Sequence, residues 1–93
     1  MNLKDHILVM LMEECAEVQK ECSKILRFGC SGEKLKSLAS EMVDLEVMLG
    51  LAKHSRCIEN STTEVIEESY QKKLKYIKVS QELGKIGEAS NIN

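Results

Sequence analysis

The chain has 93 residues and a formal net charge of −2; 43% of its residues are hydrophobic and 30% are charged. That length suits one modest domain, of a size that often needs a metal or a second subunit to complete its core. The hydrophobic share excludes a disordered chain, and the near balance of charge offers neither nucleic acid nor a membrane surface a basic field to bind.

Composition then points to helices. There is no proline, a residue that helix interiors reject. Aromatic residues are confined to Phe28, Tyr70 and Tyr76. A core of Leu, Ile, Val, Met and Cys is easier to pack from helices than from strands, which favour aromatic and β-branched side chains. An all-α fold is expected. No stretch approaches the roughly 18 apolar residues of a membrane span, and the apolar run Ile7–Met12 is short for a signal peptide and leads straight into acids. Cys15, Cys22, Cys30 and Cys57 contain no CxxC pair. A cytoplasmic protein with reduced thiols is expected.

The first helix is predicted from Leu3 to Phe28, with Asn2 as its N-cap. Ile7, Leu8, Leu11, Cys15, Val18, Cys22, Ile25 and Leu26 recur at the spacings of one helical stripe. Cys15 and Cys22 are therefore expected in the core as small apolar side chains. The segment FGCSG at 28–32 interrupts the pattern: Gly29 suits the position after a helix end, and Ser31 suits the N-cap of the next helix. That second helix is predicted over Glu33–His54, with Leu35, Leu38, Met42, Leu45, Leu49 and Ala52 as its apolar stripe.

Residues 55–60 read as a loop. Ser61 and Glu64 match an S-x-x-E capping box that opens a third helix, running to about Leu83 and carrying Val65, Ile66, Leu74 and Ile77. Gly84 and Gly87 end it, which gives a helical domain over 1–84 and a flexible tail over 85–93. Three amphipathic helices make half of a bundle, expected to be completed by dimerisation, as a homodimer or as a dimer of dimers.

The most informative residues are acids. The first helix carries Glu13, Glu14 and Glu17 in EECAE, and the second carries Glu41 and Asp44 in EMVD. Glu14 with Glu17, and Glu41 with Asp44, are i,i+3 pairs whose side chains face the same way. Glu14 and Glu41 each lie at the flank of an apolar stripe, and the short turn at 28–32 favours antiparallel helices that bring those flanks together. Four converging carboxylates repel one another unless protons or cations neutralise them, and their oxygens suit a hard cation, Mg²⁺ or Mn²⁺. Glu13, outside that set but beside it, is the candidate general base. The competing reading is a solvated acidic face on good helix formers.

EECAE at 13–17, a glycine turn, then EMVD at 41–44 resembles the EExxE…ExxD signature of MazG-like all-α nucleotide pyrophosphohydrolases. The longer run EECAEVQKECSKILRFG is similar to that of short members of the family, phage-borne ones among them, and the likeness spans roughly Leu8 to Lys53. The resemblance implies a dimer or a dimer of dimers that hydrolyses a nucleoside triphosphate to the monophosphate and pyrophosphate with Mg²⁺. It implies Glu14, Glu17, Glu41 and Asp44 as metal ligands, and it sets Glu13 at the first glutamate of the motif. Some short phage members convert dGTP to dGMP, which makes dGTP one candidate substrate.

Basic residues supply candidate phosphate contacts. Lys24 and Arg27 form an i,i+3 pair after the acidic motif; the alternative is a solvated basic end that favours the helix dipole. Lys72, Lys73, Lys75 and Lys78 make the third helix basic, and Lys73 is the one singled out by the family's use of late basic residues. Tyr76 and Phe28 suit either base stacking or a core edge. His54, Cys57 and Cys30 fall one ligand short of a structural zinc site. No glycine-rich phosphate loop or nucleophile elbow is present. The alternative function is a non-catalytic helical protein-interaction module whose acids only solubilise it.

Overall fold

The structure, a computed structural model, describes residues 1–85; the expected tail lies almost wholly outside them. The described residues form three helices and no strand: α1 (Leu3–Phe28), α2 (Gly32–His54) and α3 (Thr63–Glu82). None is long and apolar enough to cross a membrane. The chain divides into two compact units, Met1–Glu59 with α1 and α2, and a second from Asn60 onward with α3.

Each helix boundary has a local cause. The Asn2 side chain accepts a hydrogen bond from the Asp5 amide at 2.8 Å and starts α1. Gly29, at φ +86°, stops it while its N–H donates to the Ile25 carbonyl at 2.9 Å. Ser31 caps α2 by accepting from the Lys34 amide at 3.2 Å. The C-terminus of α2 closes with two bonds to carbonyls of its last turn: Cys57 N–H to Ala52 O at 2.8 Å and Arg56 N–H to Lys53 O at 3.1 Å. That is a Schellman closure, and it puts Arg56 at φ +61°, where glycine is the usual occupant.

In the second unit, the cap of α3 falls one residue later than the capping box predicts. Thr62, not Ser61, accepts from the N–H three residues on, that of Val65, at 3.3 Å. Adjacent hydroxyl residues compete for that role, and Thr62 holds the extended backbone it needs. The α3 C-terminus repeats the Schellman pattern, Lys85 N–H to Ser80 O at 2.9 Å and Gly84 N–H to Gln81 O at 3.0 Å, with Gly84 at φ +73°.

In the first unit α1 and α2 pack against each other. The buried residues Ile7, Met48 and Ala52 form the core, with Met10, Leu11, Cys57 and Ile58 packed against it. Contact of Ile7, near the start of α1, with Met48 and Ala52, near the end of α2, makes the pair antiparallel. The Schellman closure folds Cys57 and Ile58 back onto this cluster.

The seam does not follow the centre of the apolar stripe predicted for α1. Its buried and half-buried positions run Ile7, Met10, Leu11, Glu14, Glu17, Val18, Glu21, Ser23, Lys24 and Ile25. Cys15, Cys22 and Leu26 are exposed, correcting the expectation that the two cysteines are core residues. One residue is about 100° of helix rotation. Packing α2 on the acidic edge of the stripe, rather than on its middle, turns these three outward, together with Leu8, also expected in the stripe. On α2 the corresponding line is Lys34, Leu38, Glu41, Leu45, Met48, Leu49 and Ala52. Leu35 and Met42, expected in that stripe, are exposed at 52% and 39%, and Met48 takes a core position the stripe omits.

Candidate metal centre

The middle of the α1–α2 seam is acidic. Glu14, Glu17 and Glu21 follow one another at i, i+3 and i+7 on α1, and Glu41 lies on the seam line of α2. Apolar layers bracket them, Ile7 with Met48 and Ala52 at one end, and half-buried Ile25 and Leu38 toward the other. The acids are held at this depth because the layers on both sides fix the two helices.

Carboxylate oxygens of Glu14, Glu41 and Asp44 lie within 4.8 Å of one another. Glu14 and Glu41 are half-buried, while Asp44 reaches in from the exposed side of α2. Glu17 is half-buried one turn along α1; it stands outside that closest group, but its charge acts on Glu41. The Glu41 carboxyl titrates above its ordinary range. Partial burial is the largest cause, followed by the charges of Asp44, Glu17, Glu14 and Glu21. Among the described residues, no lysine or arginine forms an ion pair with Glu14, Glu17, Glu41 or Asp44.

Such a group fits a hard divalent cation. Opposite ligands of Mg²⁺ lie about 4.2 Å apart, twice its bond length to oxygen. Three oxygens within 4.8 Å of one another thus need only small side-chain adjustments to share one ion. All the donors are carboxylate oxygens, the ligand type that favours Mg²⁺ or Mn²⁺ over softer metals.

The other predicted site residues are placed as follows. Glu13 is exposed on α1, beside Glu14 but outside the oxygen cluster. Lys24 is half-buried, and its ammonium is 3.2 Å from a Glu21 carboxylate oxygen. Arg27 is exposed, with its guanidinium 5.0 Å from the centroid of the Phe28 ring; the Lys34 ammonium lies 5.6 Å from the same centroid. Lys73 is exposed on α3 in the second unit.

Glu21 is the residue that motif reading misses. Its side chain is only 10% exposed. The signal was present as a continued acidic spacing, four residues beyond Glu17 and seven beyond Glu14. Comparison of the chain with protein-family models, with curated proteins and with solved structures finds no match.

Proposed function

We propose that the chain is a Mg²⁺-dependent nucleoside triphosphate pyrophosphohydrolase, converting a (deoxy)nucleoside triphosphate and water to the monophosphate and pyrophosphate. One observation carries this reading: a helix–helix seam, apolar on either side, whose middle layer sets acid against acid with no basic partner on four of them. Half-buried carboxylates that face one another without basic partners repel, and a divalent cation shared among them offsets that repulsion. The likeness of EECAE and EMVD to the pyrophosphohydrolase signature supplies the reaction class, and dGTP is a candidate substrate on the same ground.

In this reading Glu14, Glu41 and Asp44 hold the ion, with Glu17 completing the set. When bound, Mg²⁺ orients the triphosphate, offsets charge developing on its oxygens and lowers the pKa of bound water. Glu13, exposed beside the cluster, accepts the proton of the water that cleaves the α–β phosphoanhydride. Lys24 and Arg27 are the candidate phosphate contacts of the first unit, and Lys73 is that of the second.

The chain works as a homodimer or homotetramer. Leu26, Phe28, Val43 and Val47, each more than half exposed in the single chain, supply apolar surface for a second copy.

The test is pyrophosphate release from each ribo- and deoxynucleoside triphosphate with Mg²⁺, beside a Glu17→Gln control. Release from at least one nucleotide, lost in the control, is expected. A folded, Mg²⁺-loaded protein that leaves every nucleotide intact contradicts the proposal and favours the helical interaction module.

A further inference from the structure

We propose that Glu21 is a positioning residue for the phosphate chain, holding the Lys24 ammonium at the end of the acidic cluster nearer the Gly29 turn. The inference rests on the metal-dependent triphosphate reading of the same site.

Glu21 is 7% exposed, the most buried charged residue on the seam. A carboxylate at that depth requires a partner, and Lys24 provides one at 3.2 Å. Side chains of an α-helix lean toward its N-terminus. The pair therefore draws the ammonium back from its own turn toward Glu17 and Glu14. Glu21 lies about 10 Å along the helix axis from Glu14, seven residues at the usual rise. A triphosphate gripped through a cation by Glu14, Glu41 and Asp44 and extended toward the Gly29 turn brings its far phosphate to the Lys24 ammonium.

The ammonium also has capacity to spare. It carries three donors, one of which goes to Glu21. The lysine side chain remains 39% exposed, which leaves the others open to a ligand. Neighbouring cations are placed differently. Lys20 is exposed, off the seam line. Arg27 lies about 20 Å along the axis from Glu14, with its guanidinium over the Phe28 ring.

The pair also answers an electrostatic problem. An ionised Glu21 alone repels an incoming phosphate. With Lys24 held against it, the same spot presents a donor and no net negative charge.

The experiment measures binding of inorganic tripolyphosphate to the full chain in saturating Mg²⁺, by calorimetry, for wild type, Glu21→Gln, Lys24→Gln and the double variant. The Mg²⁺-dependent shift in melting temperature is recorded for each as a check on the cluster. Each single variant is expected to weaken tripolyphosphate binding roughly tenfold, the value of one charge-assisted hydrogen bond. The double variant should be no weaker than Lys24→Gln alone, and Glu21→Gln should keep its Mg²⁺ shift.

Tighter or unchanged binding in Glu21→Gln overturns the proposal, as do additive effects in the double variant. A Glu21→Gln protein that melts lower but binds tripolyphosphate normally assigns the pair a structural role only. Hydrolysis is scored separately. Nucleotide turnover with an unaffected Glu21→Gln variant removes the positioning role and leaves the enzyme reading standing. Tripolyphosphate binding that depends on Glu21, without turnover of any nucleotide, does the reverse.

Discussion

Two stretches of one helix–helix seam behave in opposite ways. Near the start of α1, Ile7 packs on Met48 and Ala52 and is removed from water, a contribution of about 1.5–3 kcal/mol for a large apolar side chain. Two turns further on, the same two helices set Glu14, Glu17 and Glu21 against Glu41. The apolar layer stabilises the pair by itself, whereas the acidic layer opposes the packing that holds it. The difference teaches that the apolar end serves as a clamp. It holds mutually repelling carboxylates together in the folded chain.

Breaking the clamp should have the largest effect. Met48→Ala is expected to cost about 2–5 kcal/mol, the usual range for truncating a buried large side chain. Urea unfolding measures it, and the loss should be present with and without Mg²⁺. A loss seen only with Mg²⁺ would mean that the two layers are not separate.

Asp44→Asn acts on the other layer. It should weaken Mg²⁺ affinity by at least about 10- to 100-fold, the cost of losing even an outer partner of a metal site. Metal-free stability should stay the same or rise, because one repelling charge is gone. Calorimetric titration with Mg²⁺ and metal-free melting read the two effects.

A pH series sharpens the same contrast. Glu41 titrates above its ordinary range in the folded chain, so the folded state holds its proton to higher pH than the unfolded state does. Metal-free stability should therefore rise as pH falls from above that raised value toward the usual carboxylate range, and level off below it. Mg²⁺ competes with the proton and should flatten the rise. Melting curves across that window with EDTA, then with Mg²⁺, measure it, and a metal-free stability that falls throughout would contradict it.

The smallest effect concerns the turn that seals the apolar end. Arg56 occupies a left-handed backbone position that Gly84 fills at the matching turn of α3. Arg56→Gly should stabilise the chain by about 0.5–1 kcal/mol, because glycine meets no Cβ clash there. Equilibrium unfolding tests this, and the Mg²⁺ response should not change.

Much of this fold is legible in short-range signals. Asn2, Gly29 and Ser31 mark the ends of α1 and α2 because capping depends on residues three or four apart. Where two hydroxyl residues adjoin, at Ser61 and Thr62, the signal is ambiguous by one position, and the boundary moved by one. Facing is harder to read. The apolar arc of α1 is broad, and which part of it meets α2 depends on packing across the turn. The apolar spacing places Cys15 and Cys22 inside, whereas both are exposed, and Glu21, which no apolar pattern marks, is buried. The convergence of Glu14, Glu41 and Asp44 was legible, because two i,i+3 pairs on antiparallel helices bring such flanks together. The Glu21–Lys24 pair was not, since a lysine after an acidic motif reads equally well as a free phosphate contact.

Whether a divalent cation completes the acidic layer is decided by thermal melting of the full chain against Mg²⁺ concentration. At a hundredfold excess over its dissociation constant the ion should add about 2.7 kcal/mol. Wild type should therefore melt higher in Mg²⁺, and a Glu41→Gln/Asp44→Asn variant should not respond. A wild-type melting temperature indifferent to Mg²⁺ and Mn²⁺, or an equal response in the variant, would rule out a cation in this layer.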